Sequence, residues 1–143
     1  MNEKNDQIKK WIEKADHDLG TALLTYKHIS KYTDIIAFHC QQAVEKYLKS
    51  YILKLGLPFK KTHDLVLLLE QISQSDTIEE QWFDKAIEMQ DYAVEIRYPD
   101  DILELSDDDI KKAILTAKEF RKLILTKHQI EIDFNDIKDK DTE

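Results

Sequence analysis

The sequence predicts an all-α protein, an up-and-down four-helix bundle carrying one additional short helix. Three observations lead there. Two glycines and two prolines in 143 residues leave little turn chemistry, so the chain divides into a few long helices. Apolar side chains recur every three or four residues along most of the chain, and no alternating strand pattern competes with them. A chain of this length forms about one domain and buries roughly two-thirds of the surface its unfolded form exposes.

The first helix is expected over 7–28, where Ile8, Trp11, Ile12, Ala15, Leu19, Ala22, Leu23 and Tyr26 share a face. Lys9, Glu13, Lys14, Asp16 and Thr21 are assigned outward, and Gly20 interrupts the polar side at a cost of about 1 kcal/mol relative to Ala. The second helix begins after Thr33 or Asp34 as cap and stops at Gly56, with Pro58 just beyond. Ile36, Cys40, Ala43, Tyr47 and Tyr51 form one stripe, and Ala37, Val44, Leu48, Ile52 and Leu55 widen it. A helix apolar over nearly half its circumference suits the centre of a bundle.

A short third helix follows "KKTHD", with Thr62 as its expected cap and Leu65, Leu68, Leu69 and Ile72 as its apolar face. Trp82, Phe83, Ala86, Ile87, Met89, Tyr92, Ala93 and Ile96 build the fourth, which Pro99 ends by biasing Tyr98 away from helical geometry. "SDDD" opens the fifth with a capping box from Ser106 to Asp109, a weaker version of the box that uses Glu or Gln. Its apolar series runs from Ile110 to Ile124, towards His128. Residues 1–128 form the helical domain, and 129–143 are expected to be an acidic, flexible tail.

Twenty-one basic against twenty-nine acidic residues give a formal charge of −8. That balance disfavours a broad grip on a phosphate backbone but allows a small nucleotide pocket. The single cysteine excludes an intrachain disulfide, and no apolar run approaches a membrane span. "MNEKNDQIKK" lacks the apolar core of a secretion signal, so a cytoplasmic protein is expected, with no membrane partner.

Few polar residues stand out. Neighbouring His39 and Cys40 point about 100° apart on a helix, so no metal site is expected and Cys40 reads as core. His17, His28 and His128 read as solvated imidazoles. Asp16 and Asp18 are two apart and do not form a paired-carboxylate site, although Asp18 is placed to turn inward to a positive partner. Gln42 and Lys46 are four apart, as are Glu45 and Lys49, which can pair. His63 and Asp64 stand at the start of the third helix, where free backbone donors would welcome an anion. Arg97 stands at the end of the fourth, where a cation is favourable.

"WIEKADHDLGTA", "FHCQQAVEKYLKSYIL", "THDLVLLL" and "EIRYPD", in that order, resemble the HEPN family of small helical domains, from residue 7 to about 125. The resemblance implies a dimeric bundle, commonly encoded beside or fused to a minimal nucleotidyltransferase. Many members are metal-independent ribonucleases of toxin–antitoxin or defence systems, whose motif is an Arg followed after four to six residues by a His. Arg97 matches the arginine, but Tyr98, Pro99, Asp100, Asp101, Ile102, Leu103 and Glu104 follow it without a histidine. The expected function is therefore a non-catalytic HEPN homodimer that binds a nucleotide such as ATP or GTP, or a nucleotidyltransferase partner, with RNA a weaker candidate. Arg97, Lys46, Gln42, His63 and Tyr98 are the candidate nucleotide ligands, and no cofactor is expected. Two alternatives stand beside it: a divergent ribonuclease using Arg97 and His63, and a purely structural dimerisation domain.

Overall fold

A computed structural model of the chain describes residues 3–94 and 105–134. These hold five helices and no strand: α1 (Glu3–His28), α2 (Thr33–Lys54), α3 (Leu65–Ser73), α4 (Glu80–Val94) and α5 (Asp107–His128). Side-chain pairs fix their directions. Asp18 of α1 meets His39 and Lys46 of α2 across a short turn, so the two are antiparallel. Tyr26 near the end of α1 donates to Asp107 at the start of α5 (2.8 Å), and His128 at the end of α5 meets Ser50 near the end of α2. Lys85 to Glu119 and Lys112 to Glu88, each 2.9 Å, run α4 antiparallel to α5. The result is the expected up-down-up-down bundle, with α3 as the additional short helix.

The wide apolar face of α2 explains its position, for it packs against all four other helices. Ile36, Cys40, Ala43, Val44, Tyr47, Leu48 and Ile52 are fully buried. Burial pushes the Cys40 thiol up to about 12, which makes it an inert core group, as expected from its place on the stripe. Gly20, placed on the polar side from sequence, is buried in α1.

The helix ends depart from the sequence reading in two places. Tyr32, not Thr33 or Asp34, is the residue before α2, and no side chain caps that end. Asp64, not Thr62, caps α3: its carboxylate accepts from the N–H groups of Val66 (2.9 Å) and Leu67 (3.2 Å). Thr62 acts one step earlier, accepting from the Asp64 N–H. An ionised cap offers the stronger hydrogen bond, which favours the aspartate. The capping box at Ser106 is complete, with Asp109 reaching back to the Ser106 N–H at 3.0 Å.

Two helices end in the same motif. Gly56 (φ +75°) donates to Leu53 O and Leu57 to Ile52 O, closing α2 in a Schellman turn. Gln129 (φ +60°) and Ile130 repeat those bonds to Thr126 and Leu125 at the end of α5. Only the first uses the residue that tolerates the left-handed region.

A buried ionic cluster joins three helices. Asp16, assigned outward from the sequence, is only 12% exposed and receives Arg121 through Nε (2.9 Å) and Nη2 (3.2 Å). Tyr47 donates its hydroxyl to the same carboxylate. Burial and then the Asp16 charge push the Tyr47 phenol far above its ordinary value, so it stays a donor. Arg121 also donates to Ile132 O (2.7 Å) and lies 5.0 Å over the Phe134 ring. Ile130, Ile132 and Phe134, from the stretch expected as a tail, therefore pack against the core. Residues 135–143 lie outside the described part.

His128 is not the solvated imidazole expected. It is buried, 2.9 Å from Ser50 Oγ and edge-on to Tyr51 at 5.4 Å. Ser50 gives its hydroxyl proton to Tyr47 O, so the histidine donates to it through Nε2. Burial, aided by the Lys54 charge, holds its pKa down to about 4. Next to it Lys127 and Tyr51 bind Asp76 (each 2.7 Å), and their hydrogen bonds hold that carboxyl below its usual range.

Four substitutions have expected outcomes in urea unfolding. Gly56→Ala is expected to lose about 1 kcal/mol and Gln129→Gly to gain a similar amount, since each changes mainly the cost of a left-handed residue. Arg121→Ala, which leaves Asp16 buried without its cation, is expected to lose about 3–5 kcal/mol. Unfolded His128 binds a proton below about pH 6.5 while the folded one does so only near pH 4, so stability is full above pH 6.5 and falls between those values. After allowance for solvent screening the loss is on the order of 2 kcal/mol, and His128→Gln should flatten that part of the pH profile.

Candidate functional site

Midway along α2, where the loop before α3 reaches back to the helix, a buried carboxylate holds an exposed imidazole. Glu45, with a side chain only 4% exposed, accepts from Lys49 Nζ at one oxygen and meets His63 Nδ1 at the other, each at 2.9 Å. The expected pair four residues apart is present, and His63 has joined it from the loop. The His63 side chain is 78% exposed. With Nδ1–H committed to the carboxylate, Nε2 is the ring atom left to a ligand.

Aromatic groups continue this surface. Lys49 Nζ lies 5.9 Å over the Trp11 ring, and Trp11 meets Phe59 edge-on with centroids 5.6 Å apart. Phe59 is 47% exposed and is followed by Lys60 and Lys61, both exposed. An open ring among lysines is the arrangement on which bases stack while phosphates stay near cations.

Lys46 does not point into this cluster. Its ammonium binds Asp18, whose other oxygen lies 2.9 Å from His39 Nδ1, so the positive partner expected for Asp18 is found. Gln42 is half-buried one turn before Lys46 on the same strip of α2. His63 and Lys46 are thus held by different carboxylates, and the residues proposed from sequence are only partly brought together. Arg97 and Tyr98 lie outside the described residues.

The start of α3 is not the open anion site expected. Val66 and Leu67 donate to Asp64, and Leu65 N–H donates to Gln90 Oε1 of α4. These first donors are already filled, by Asp64 and by Gln90 of α4, so an anion there would have to be met by side chains. Among the described residues no cluster of three or more His, Cys, Asp and Glu side chains could hold a metal ion. Nor is any described helix long and apolar enough to cross a membrane.

The model of the HEPN domain matches residues 8–131. The chain belongs to the HEPN domain family. Comparisons with the curated proteins and with the solved structures return no match. In this HEPN domain, family membership fixes the helical scaffold and leaves the chemistry to its own residues.

Sequence reasoning missed Phe59 and read Trp11 only as part of an apolar stripe. Phe59 sits in a loop, where periodicity carries no information. The available signal was an aromatic residue directly before two lysines and close to His63. Removing the orienting carboxylate by Glu45→Gln should leave the bundle folded in circular dichroism. The His63 ring signals in NMR should then lose their fixed tautomer and average.

Proposed function

We propose that this HEPN domain is a non-catalytic nucleotide-binding module, acting as a homodimer beside a minimal nucleotidyltransferase in a toxin–antitoxin-like or defence setting. The observation that carries the reading is the Glu45–His63 pair: a buried carboxylate orients an exposed imidazole beside Trp11, Phe59, Lys60 and Lys61. In this reading a nucleobase rests on Phe59, His63 Nε2 hydrogen-bonds the ligand, and the lysines with Arg97 meet the phosphates of ATP or GTP. Gln42 and Tyr98 are assigned to the edge of the same ligand. Lys46, held by Asp18 and directed away from the Glu45–His63 cluster, supplies no charge to this ligand.

Arg97 is included on the family resemblance alone, as the residue that matches the arginine of the motif. The non-catalytic part rests on chemistry. Cleavage by an internal 2′-hydroxyl needs proton transfer at the attacking and leaving oxygens, and Arg97 stays protonated while no histidine follows it in the family's position.

One observation favours a second reading, the divergent ribonuclease. Glu45 fixes His63 in the tautomer whose Nε2 accepts a proton, as an orienting carboxylate does in catalytic dyads. Arg97 would then stabilise the phosphoryl charge.

An RNA-cleavage time course in EDTA, run beside ATP and GTP titrations, separates the two. Wild type, Arg97→Ala and His63→Ala are compared. The expected result is no cleavage and nucleotide binding weakened about tenfold or more in either variant. RNA fragments ending in cyclic phosphate, lost in both variants, would replace the binding module with the enzyme. Neither binding nor cleavage would leave the structural dimerisation domain.

A further inference from the structure

We propose that the groove between α1, α5 and residues 130–134 binds a small anionic amphiphile, an acyl chain ending in a carboxylate. The groove has a volume of about 750 Å³, which is within the range of small-molecule sites. The apolar part of its lining comes from Leu19 and Leu23 of α1, Leu125 of α5, and Ile132 and Phe134 of the segment after α5. That segment reads Ile-Glu-Ile-Asp-Phe and alternates in exposure, so its apolar side chains turn to the bundle while Glu131 and Asp133 are exposed.

Charge on the α5 edge selects the head group. Lys118 and Lys122 line the groove one turn apart, and both are exposed. Arg121 between them is different, because Asp16 has already neutralised it. Two exposed cations along one edge of a partly apolar trough suit a chain with a single negative end. The acidic residues lie across the groove, on residues 131 and 133, so the ligand's head belongs on the α5 side. This site shares no residue with the Glu45–His63 cluster, and its occupancy does not depend on nucleotide binding.

The test is calorimetric titration of the full chain with dodecanoate below its micelle concentration. Dodecyltrimethylammonium, with the same chain and the opposite charge, runs in parallel. Saturable one-to-one binding of dodecanoate, with none of the ammonium compound, is expected. The double variant Lys118→Glu, Lys122→Glu should weaken it at least tenfold, and Thr126→Trp, at an exposed position on the lining, should block it. Both variants keep the buried contacts, and circular dichroism checks that they fold. Equal binding of the two amphiphiles, unchanged affinity in the double variant, or no saturation below the micelle concentration would overturn the proposal. Binding to anionic lipid vesicles without binding of free dodecanoate would also overturn it, since the groove would then not be the ligand site.

Discussion

A carboxylate inside a helical bundle has to be neutralised where it stands, and Asp16 sets that requirement here. Its position on α1 faces both α2 and α5, and the solution draws one group from each: the Tyr47 hydroxyl and the Arg121 guanidinium. The two-point contact with arginine fixes the rotation of α5 as well as its distance, since a planar fork meets a carboxylate in few orientations. The same guanidinium then reaches Ile132 O and stacks on Phe134, so the segment after α5 is placed by the group that satisfies the core. Apolar burial supplies most of the driving force for the bundle. The Asp16 cluster specifies which helix faces meet.

The same logic recurs at acids that are buried or half-buried. Asp18 takes His39 and Lys46, Glu45 takes Lys49 and His63, and Asp76 takes Lys127 and Tyr51. Each cluster ties together elements that are far apart in sequence, and each uses up a cation. This determines where a negative ligand can be met. The lysines along the middle of α2 are engaged, whereas Lys60, Lys61 and the outer nitrogen of His63 lie on the loop side of the bundle. A net charge of −8 says little about such a surface, because paired charges cancel locally and the exposed remainder does not follow the total.

The sequence made the scaffold legible because its signals are local. The stripe from Ile36 to Tyr51 gave the central helix, Gly56 gave its end, and Ser106 with Asp109 gave the start of α5. Periodicity is a statement about one helix and its solvent, and these elements need nothing else. It failed where two helices compete for one side chain. Asp16 reads as polar and therefore outward until Arg121, 105 residues away, is known to face it. His128 reads as a solvated imidazole near a helix end until Ser50 and Tyr51 are known to face it. Thr62 and Asp64 are both acceptable caps in isolation, and geometry chose the ionised one.

The candidate site was legible in part for the same reason. His63 and Glu45 were each visible as polar residues in places that needed an account, but they are 18 residues apart and on different elements, so their pairing is a tertiary fact. Once made, it changes what either residue can do. An isolated exposed histidine exchanges tautomers and rotates freely, while one anchored through Nδ1 to a carboxylate that Lys49 also holds presents a single nitrogen in a fixed direction. Asp64 and Gln90 then take up the α3 backbone donors that would otherwise compete for a nearby anion. In the proposed nucleotide-binding reading, recognition therefore falls to side chains, and the fixed direction of one imidazole carries the specificity.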